Sequence, residues 1–407
     1  MEYIKSTLWE INKSFSTRAL GFILALTNIY SYFNWQYHST AFQGLISGAS
    51  HVCWPFFKSC DTAFLLTASQ INIVFGAFTF FSTLAVLSFL SSRLLAVGWL
   101  AMLIALVLKS VLYLQDYRFS SNVHYILFIV HFCYLLFPQR KLLFKFLVLA
   151  FYLNTGLLKI NSEWLSGSQV LADSTLDLKA LQLLSMAILL IECVVPFGLF
   201  FKHKQFRLVS LITLMCYNIF IWASGGGFYA LVQLSFLVVF ALEALEFNRY
   251  DDSLLVYQSY IRPEPTKVWI PVIVTFYAMM QLLPILFETT QASGSEGHLL
   301  SLNPIRAKFQ CENITYINQS KKIEHIELFD QGQSGQCDPY IIYRKIKSIC
   351  DEQKSKADFK GITEIFIQKH NKSKQPSQIF KIDNFCDENI KYTSIRSKKW
   401  MVTTTTN

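Results

Sequence analysis

A small set of ionisable side chains stands inside otherwise apolar stretches of this chain. Lys159 lies near the end of an apolar segment, in Tyr152-Leu-Asn-Thr-Gly-Leu-Leu-Lys159-Ile-Asn-Ser-Glu-Trp164-Leu-Ser-Gly167. A lysine at a helix end can extend its ammonium to the bilayer interface. A desolvated lysine can instead stay uncharged and serve as an amine base. Glu192 sits mid-segment in Leu190-Ile-Glu192-Cys-Val-Val-Pro196. A carboxyl at that depth is either protonated or paired with a lysine or a buried hydroxyl, and a purely structural helix–helix hydrogen bond satisfies it equally well. His124 opens another apolar segment, His131 lies two turns deeper as a packing residue, and Lys109 is placed to reach the interface.

These groups are positioned by membrane spans. Only 15% of the 407 residues are charged and 53% are hydrophobic, against roughly 25% charged in a soluble domain. Thr62–Leu90, Leu208–Leu242 and Val268–Phe287 contain no charge at all. A bilayer core takes about 20 apolar residues per helix, and the sequence predicts about nine transmembrane helices: 19–35, 62–90, 94–115, 122–138, 141–160, 180–201, 206–223, 228–246 and 268–287. Gly225-Gly226-Gly227 separates the seventh from the eighth. Met1–Arg18 is polar and mildly basic, so the first apolar segment is expected to remain as an anchor.

With a cytoplasmic N-terminus, thirteen Lys and Arg residues fall on the inner side, among them Arg18, Arg93, Arg140, Lys204, Arg207 and Arg249. The outer loops hold Lys58, Arg118 and Lys179. That bias follows the positive-inside rule and puts the C-terminal region in the periplasm or ER lumen. Cys53, Cys60, Cys311, Cys337, Cys350 and Cys386 all fall on that outer, oxidising side and are disulfide candidates of open connectivity. Cys133, Cys193 and Cys216 fall within spans. No Cys-x-x-Cys pair suggests zinc, and the net charge of +9 accompanies no nucleic-acid recognition motif.

The domain division is therefore 1–287, a transmembrane domain, and 288–407, an extramembrane α+β, β-rich domain. In the latter, Asn313–Ile317 and Ile362–Ile367 alternate as half-buried strands. Asp338–Asp351 reads as a helix with Ile341, Ile342, Ile346, Ile349 and Cys350 on one face.

The segment Gly156-Leu-Leu-Lys159-Ile-Asn-Ser-Glu-Trp164-Leu-Ser-Gly167 resembles the Gly-x-x-Lys-x-x-x-x-Trp-x-x-Gly signature of the HTTM membrane proteins, the family of the vitamin K-dependent gamma-glutamyl carboxylase. Ser16–Leu20, Ser92-Arg93-Leu94, Glu192 with Pro196, and Gly226-Gly227-Phe228 resemble further family features in the same order. The resemblance implies a quinol-dependent enzyme that carboxylates the gamma-carbon of peptidyl glutamate. Its cofactor would be reduced vitamin K or a related isoprenoid quinol, with carbon dioxide and dioxygen as co-substrates. Its partner would be a glutamate-containing peptide on the outer side. Lys159 would then be the amine base and His124 would assist carboxylation, with Glu192 and Trp164 beside the cofactor. Where the family places a histidine, this chain has Leu214-Met-Cys-Tyr217-Asn218. Tyr217 and Asn218 are the hydrogen-bond donors available in its stead. The rival reading is a non-catalytic membrane scaffold or maturation factor whose tail binds an extracytoplasmic partner. A transporter ranks last, because few charges are available to line a path.

Overall fold

A computed structural model describes residues 2–47, 52–54, 65–119, 122–160, 162–167, 177–201, 203–247, 269–286, 309–320, 322–326, 339–370, 377–387 and 390. The backbone forms two compact units. One comprises 1–51, 64–160 and 186–279; the other comprises 52–63, 161–185 and 280–407.

The first unit is helical. It begins with α1 (Glu2–Lys13), α2 (Phe15–His38) and α3 (Thr40–Ser47), then α4 (Ala68–Phe89) and α5 (Leu95–Gln115). It continues through α6 (Asn122–Leu136) and α7 (Arg140–Leu158). It also takes the second half of α9 (Leu178–Cys193), α10 (Lys204–Ile221), α11 (Gly227–Phe247) and most of α12 (Trp269–Leu286), while the short α8 (Ser162–Leu165) and the start of α9 belong to the second unit. A helix occupies each of the nine segments expected to be apolar. Among the described residues, six helical stretches are long and apolar enough to cross a membrane: 68–89, 92–115, 140–158, 178–200, 204–224 and 227–244. Val123–Leu136 and Trp269–Met280 are shorter apolar helices. The chain is thus a multi-pass membrane protein by composition and helix length.

Local sequence explains the helix ends. The Ser14 hydroxyl caps α2 by accepting from the Thr17 amide. Thr67 and Gln70 form a reciprocal capping box at the start of α4. Pro196 cannot donate an amide, and α9 gives way there to a tighter turn over Val195–Phe200. Between α10 and α11 the chain makes one π turn, Trp222–Gly226, and Gly227 adopts φ +25°. A side chain would strain that backbone, which is why the charge-free run divides at glycine.

Large apolar side chains such as Ile73, Phe80, Leu183, Leu190 and Val209 are exposed along the helices. Water would penalise such faces and a lipid acyl phase does not. Inside the bundle, Trp35 of α2 packs among Phe75, Phe78, Tyr113 and Phe119. Hydroxyls along the spans are satisfied within their own helix, as where Ser82 donates to the Phe78 carbonyl at 2.7 Å.

The described part of the second unit includes a four-stranded antiparallel sheet of β1 (Phe309–Gln319), β2 (Ile323–Ile326), β3 (Phe359–His370) and β4 (Ser377–Ile382), ordered β2-β1-β3-β4. Helix α13 (Pro339–Gln353) covers one face with Ile342, Ile346 and Cys350, against Ile317, Ile362 and Phe385. Both alternating runs are strands and the expected helix is present. Cys350 and Cys386 form a disulfide. Cys53 is also disulfide-bonded, and the Tyr340 hydroxyl donates to its carbonyl. Cys60, Cys337 and the side chain of Cys311 lie outside the described residues. Cys133, Cys193 and Cys216 are free thiols.

Candidate active site

Lys159 ends α7 in the first unit. Its amide donates to the Gly156 carbonyl at 3.0 Å, which turns the chain out of the helix. The residue is only 5% exposed, so its amine does not extend into solvent. Instead Nζ forms an ion pair with the carboxylate of Glu192, which is 0% exposed on α9. The second carboxylate oxygen accepts from the Tyr217 hydroxyl of α10 at 2.5 Å. Three helices therefore supply an amine, a carboxyl and a phenol to one buried cluster.

The sequence explains how the pair closes. A Cβ added at Gly156 would lie 2.4 Å from Cys193 Sγ and 3.3 Å from Glu192 Cβ. Only glycine lets the α7 backbone approach α9 this closely. Three residues later, Lys159 meets the carboxyl beside that contact. Two tyrosines that sequence reasoning did not single out, Tyr152 buried and Tyr229 half-buried, complete the surroundings. Tyr152 of α7 and Tyr229 of α11 both lie within electrostatic range of Glu192. Asn218 donates to the Tyr152 hydroxyl at 2.9 Å and to the Leu214 carbonyl at 2.7 Å. Tyr152 lies seven residues before Lys159, two helical turns back on the same face, which is the signal that could have found it.

The remaining candidates are placed elsewhere. Trp164 lies in the second unit, where its indole N–H donates to the Ser185 carbonyl at 3.3 Å. His124 is buried on α6 between the Trp35 and Phe228 rings, each 4.8 Å away by centroid. Its Nε2 lies 3.2 Å from Asn34 Oδ1, and its carbonyl accepts from the Tyr113 hydroxyl at 2.8 Å.

Lys109 departs from expectation. It does not reach the interface but is fully buried. Its Nζ donates to Asn28 Oδ1 at 3.2 Å and Ser31 Oγ at 3.5 Å, with the Trp35 and Tyr113 rings 5.9 and 6.0 Å away. Among the described residues no carboxylate pairs with it. The physical reason is a nearby polar stripe: Asn28, Ser31 and Trp35 recur along one face of α2 and hold the ammonium in place. His131 is also more than packing, with Nε2 2.8 Å from the Leu24 carbonyl.

No family model, curated protein or solved structure matches this chain.

Chemically, the Lys159–Glu192–Tyr217 cluster is suited to holding and exchanging a proton in a dry environment. Its opposite charges compensate one another, and neither partner is exposed to water. For an isoprenoid quinol, the cluster supplies acid–base groups. A cavity lined by Ile126, Val130, Leu147, Phe151 and Tyr277 has a volume of about 10 Å³, room for about one water. Another, toward the other end of α10, measures about 40 Å³. Neither is lined by Lys159, and neither holds a quinone ring. Among the described residues no group of three His, Cys, Asp or Glu side chains could hold a metal.

Proposed function

We propose that the chain is a membrane-embedded carboxylase-like enzyme of the HTTM type, in which the Lys159 amine is the base. The supporting observation is the buried Lys159–Glu192–Tyr217 cluster. When Glu192 holds the proton, Lys159 carries a free lone pair and can accept a proton from a substrate. The deprotonated substrate then carries the negative charge that balances the Lys159 ammonium, while Glu192 keeps its proton beside the Tyr217 hydroxyl. The quinol, carbon dioxide and peptidyl glutamate are what the sequence resemblance implies. The proposal includes nine spans, a cytoplasmic N-terminus and an outer C-terminal domain, supported by the distribution of Lys and Arg.

The test uses purified protein with reduced vitamin K, labelled bicarbonate and glutamate peptides. Label incorporated by the wild type and lost in Lys159→Ala supports the reading. Incorporation equal in both, or absent from both, overturns it.

A second reading has its own support. The same ion pair, sealed by the Gly156–Cys193 contact, is also a satisfied cross-link between α7 and α9, as a scaffold with an extracytoplasmic binding tail would need. Retention of a tail-binding partner by a Lys159→Met, Glu192→Met protein that stays folded would favour that reading.

A further inference from the structure

Lys109 of α5 is a buried amine that the chemistry at Lys159 does not use. It stands with Asn28 and Trp35 of α2 and His124 of α6, and all four residues are at most 2% exposed. Nζ donates to Asn28 Oδ1 at 3.2 Å. The Trp35 and Tyr113 rings stand off from it, with centroids 5.9 and 6.0 Å away, against about 3.5–4.0 Å for heavy atoms in contact. The His124 ring packs on Trp35 within electrostatic range of Lys109. Three polar atoms of this group, Asn28 Nδ2, Trp35 Nε1 and His124 Nδ1, have no hydrogen-bond partner among the described residues. Buried polar groups are normally satisfied, and an exception calls for an explanation. Two of these three are N–H donors lacking an acceptor, beside an amine that no described carboxylate neutralises. An ammonium there carries the cost of a buried charge with no anion to offset it. The free amine avoids that cost, donates to the same acceptors, and is a nucleophile.

We infer that Lys109 is a carbamylation site, its amine adding carbon dioxide reversibly to form a carbamate. The Nζ lone pair bonds to the carbon of carbon dioxide, one C–O π pair moves onto oxygen, and one N–H bond gives up its proton. Nothing is oxidised or reduced. His124 takes the proton: its Nε2–H donates to Asn34 Oδ1 at 3.2 Å, which leaves the Nδ1 lone pair available. The remaining N–H of Lys109 keeps its bond to Asn28 Oδ1, and the new carboxylate oxygens accept from Asn28 Nδ2 and Trp35 Nε1. Imidazolium and carbamate then compensate one another in a dry setting. Carbon dioxide is uncharged and enters an apolar phase, whereas bicarbonate would bear the full cost of desolvating a charge. The inference does not depend on Lys159 being a catalytic base.

The experiment equilibrates the intact, detergent-purified protein with carbon-13-labelled carbon dioxide and records its carbon-13 spectrum. A carbamate resonance is expected, separate from those of bicarbonate and dissolved gas, that fades when the gas is purged. Trapping the wild type with an alkylating oxonium salt and mapping its peptides by mass spectrometry reads the position directly, so the answer does not wait on a variant that may fail to fold. Lys109→Met should abolish the resonance. Trp35→Phe keeps the ring and removes one donor to the carbamate, and it should weaken carbon dioxide binding by about tenfold. A wild type without a carbamate resonance, a trapped label on any lysine but Lys109, or binding unaltered in Trp35→Phe overturns the inference.

Discussion

The Lys159 amine meets the Glu192 carboxylate beside the point where Gly156 lets α7 touch Cys193 of α9. The two residues are 33 positions apart, and the pair fixes how two helices lie against each other inside an apolar medium. Removing one partner of a buried pair strands the other as an uncompensated charge. Replacing both with apolar groups does not. Lys159→Met alone should therefore destabilise the protein by about 3–5 kcal/mol, and adding Glu192→Met should recover most of the loss. Unfolding of the two variants in matched detergent checks this; identical melting of single and double variants would count against it.

The close approach at Gly156 gives a second expectation. Gly156→Ala puts a methyl group 2.4 Å from Cys193 Sγ, and overpacking of this kind costs about 1–3 kcal/mol. Cys193→Ala removes the sulfur and should restore stability in the double variant. Rescue by Cys193→Ala, but not by Cys216→Ala on the neighbouring α10, separates contact relief from a general thiol effect.

In the sheet, Glu364 of β3 is fully buried and raised to a pKa of about 8, because burial disfavours its charged form; a hydrogen bond from Thr315 opposes the shift. The folded state thus holds a proton that the unfolded chain, near its usual 4.5, has already released. Stability contributed by this group is fully present below about pH 4.5, falls as pH rises toward 8, and levels off above it. The slope approaches about 1.4 kcal/mol per pH unit within that window. Glu364→Gln should flatten the profile of the C-terminal unit, as followed by hydrogen exchange of β1 and β3.

Cys350 and Cys386 close a loop across 36 positions, joining α13 to the segment after β4. Reduction should cost the C-terminal unit about 2–5 kcal/mol. Proteolysis of the purified protein with and without dithiothreitol checks it: β3 and β4 should become cleavable only after reduction.

Much of the fold was legible because its signals are local. Charge-free runs mark helices wherever backbone polar groups must be satisfied within one segment. The period-2 pattern of Ile362–Ile367 needs only its own neighbours to declare a strand. The helical face of Ile341, Ile342, Ile346 and Cys350 is likewise written in one turn and the next, and all four are buried.

The cluster was legible only as parts. Lys159, Glu192 and Tyr217 each stood out as polar groups in apolar surroundings. Their convergence depends on how α7, α9 and α10 pack, which no spacing within one helix encodes. Tyr152 and Tyr229 passed unnoticed because tyrosine is ordinary in a span and gains meaning only from proximity to Glu192. Lys109 shows the same limit: sequence position gives depth, whereas direction depends on Asn28 and Ser31 from another helix.

The single turn at Trp222–Gly227 also bears on biogenesis. Both α10 and α11 are long and apolar enough to cross, yet no soluble stretch separates them that could be delivered to one face on its own. The insertion machinery must accept them as one hairpin. A lesion that expels either helix from the bilayer would leave everything made after it, the disulfide-bearing tail included, on the opposite face from the one it otherwise reaches.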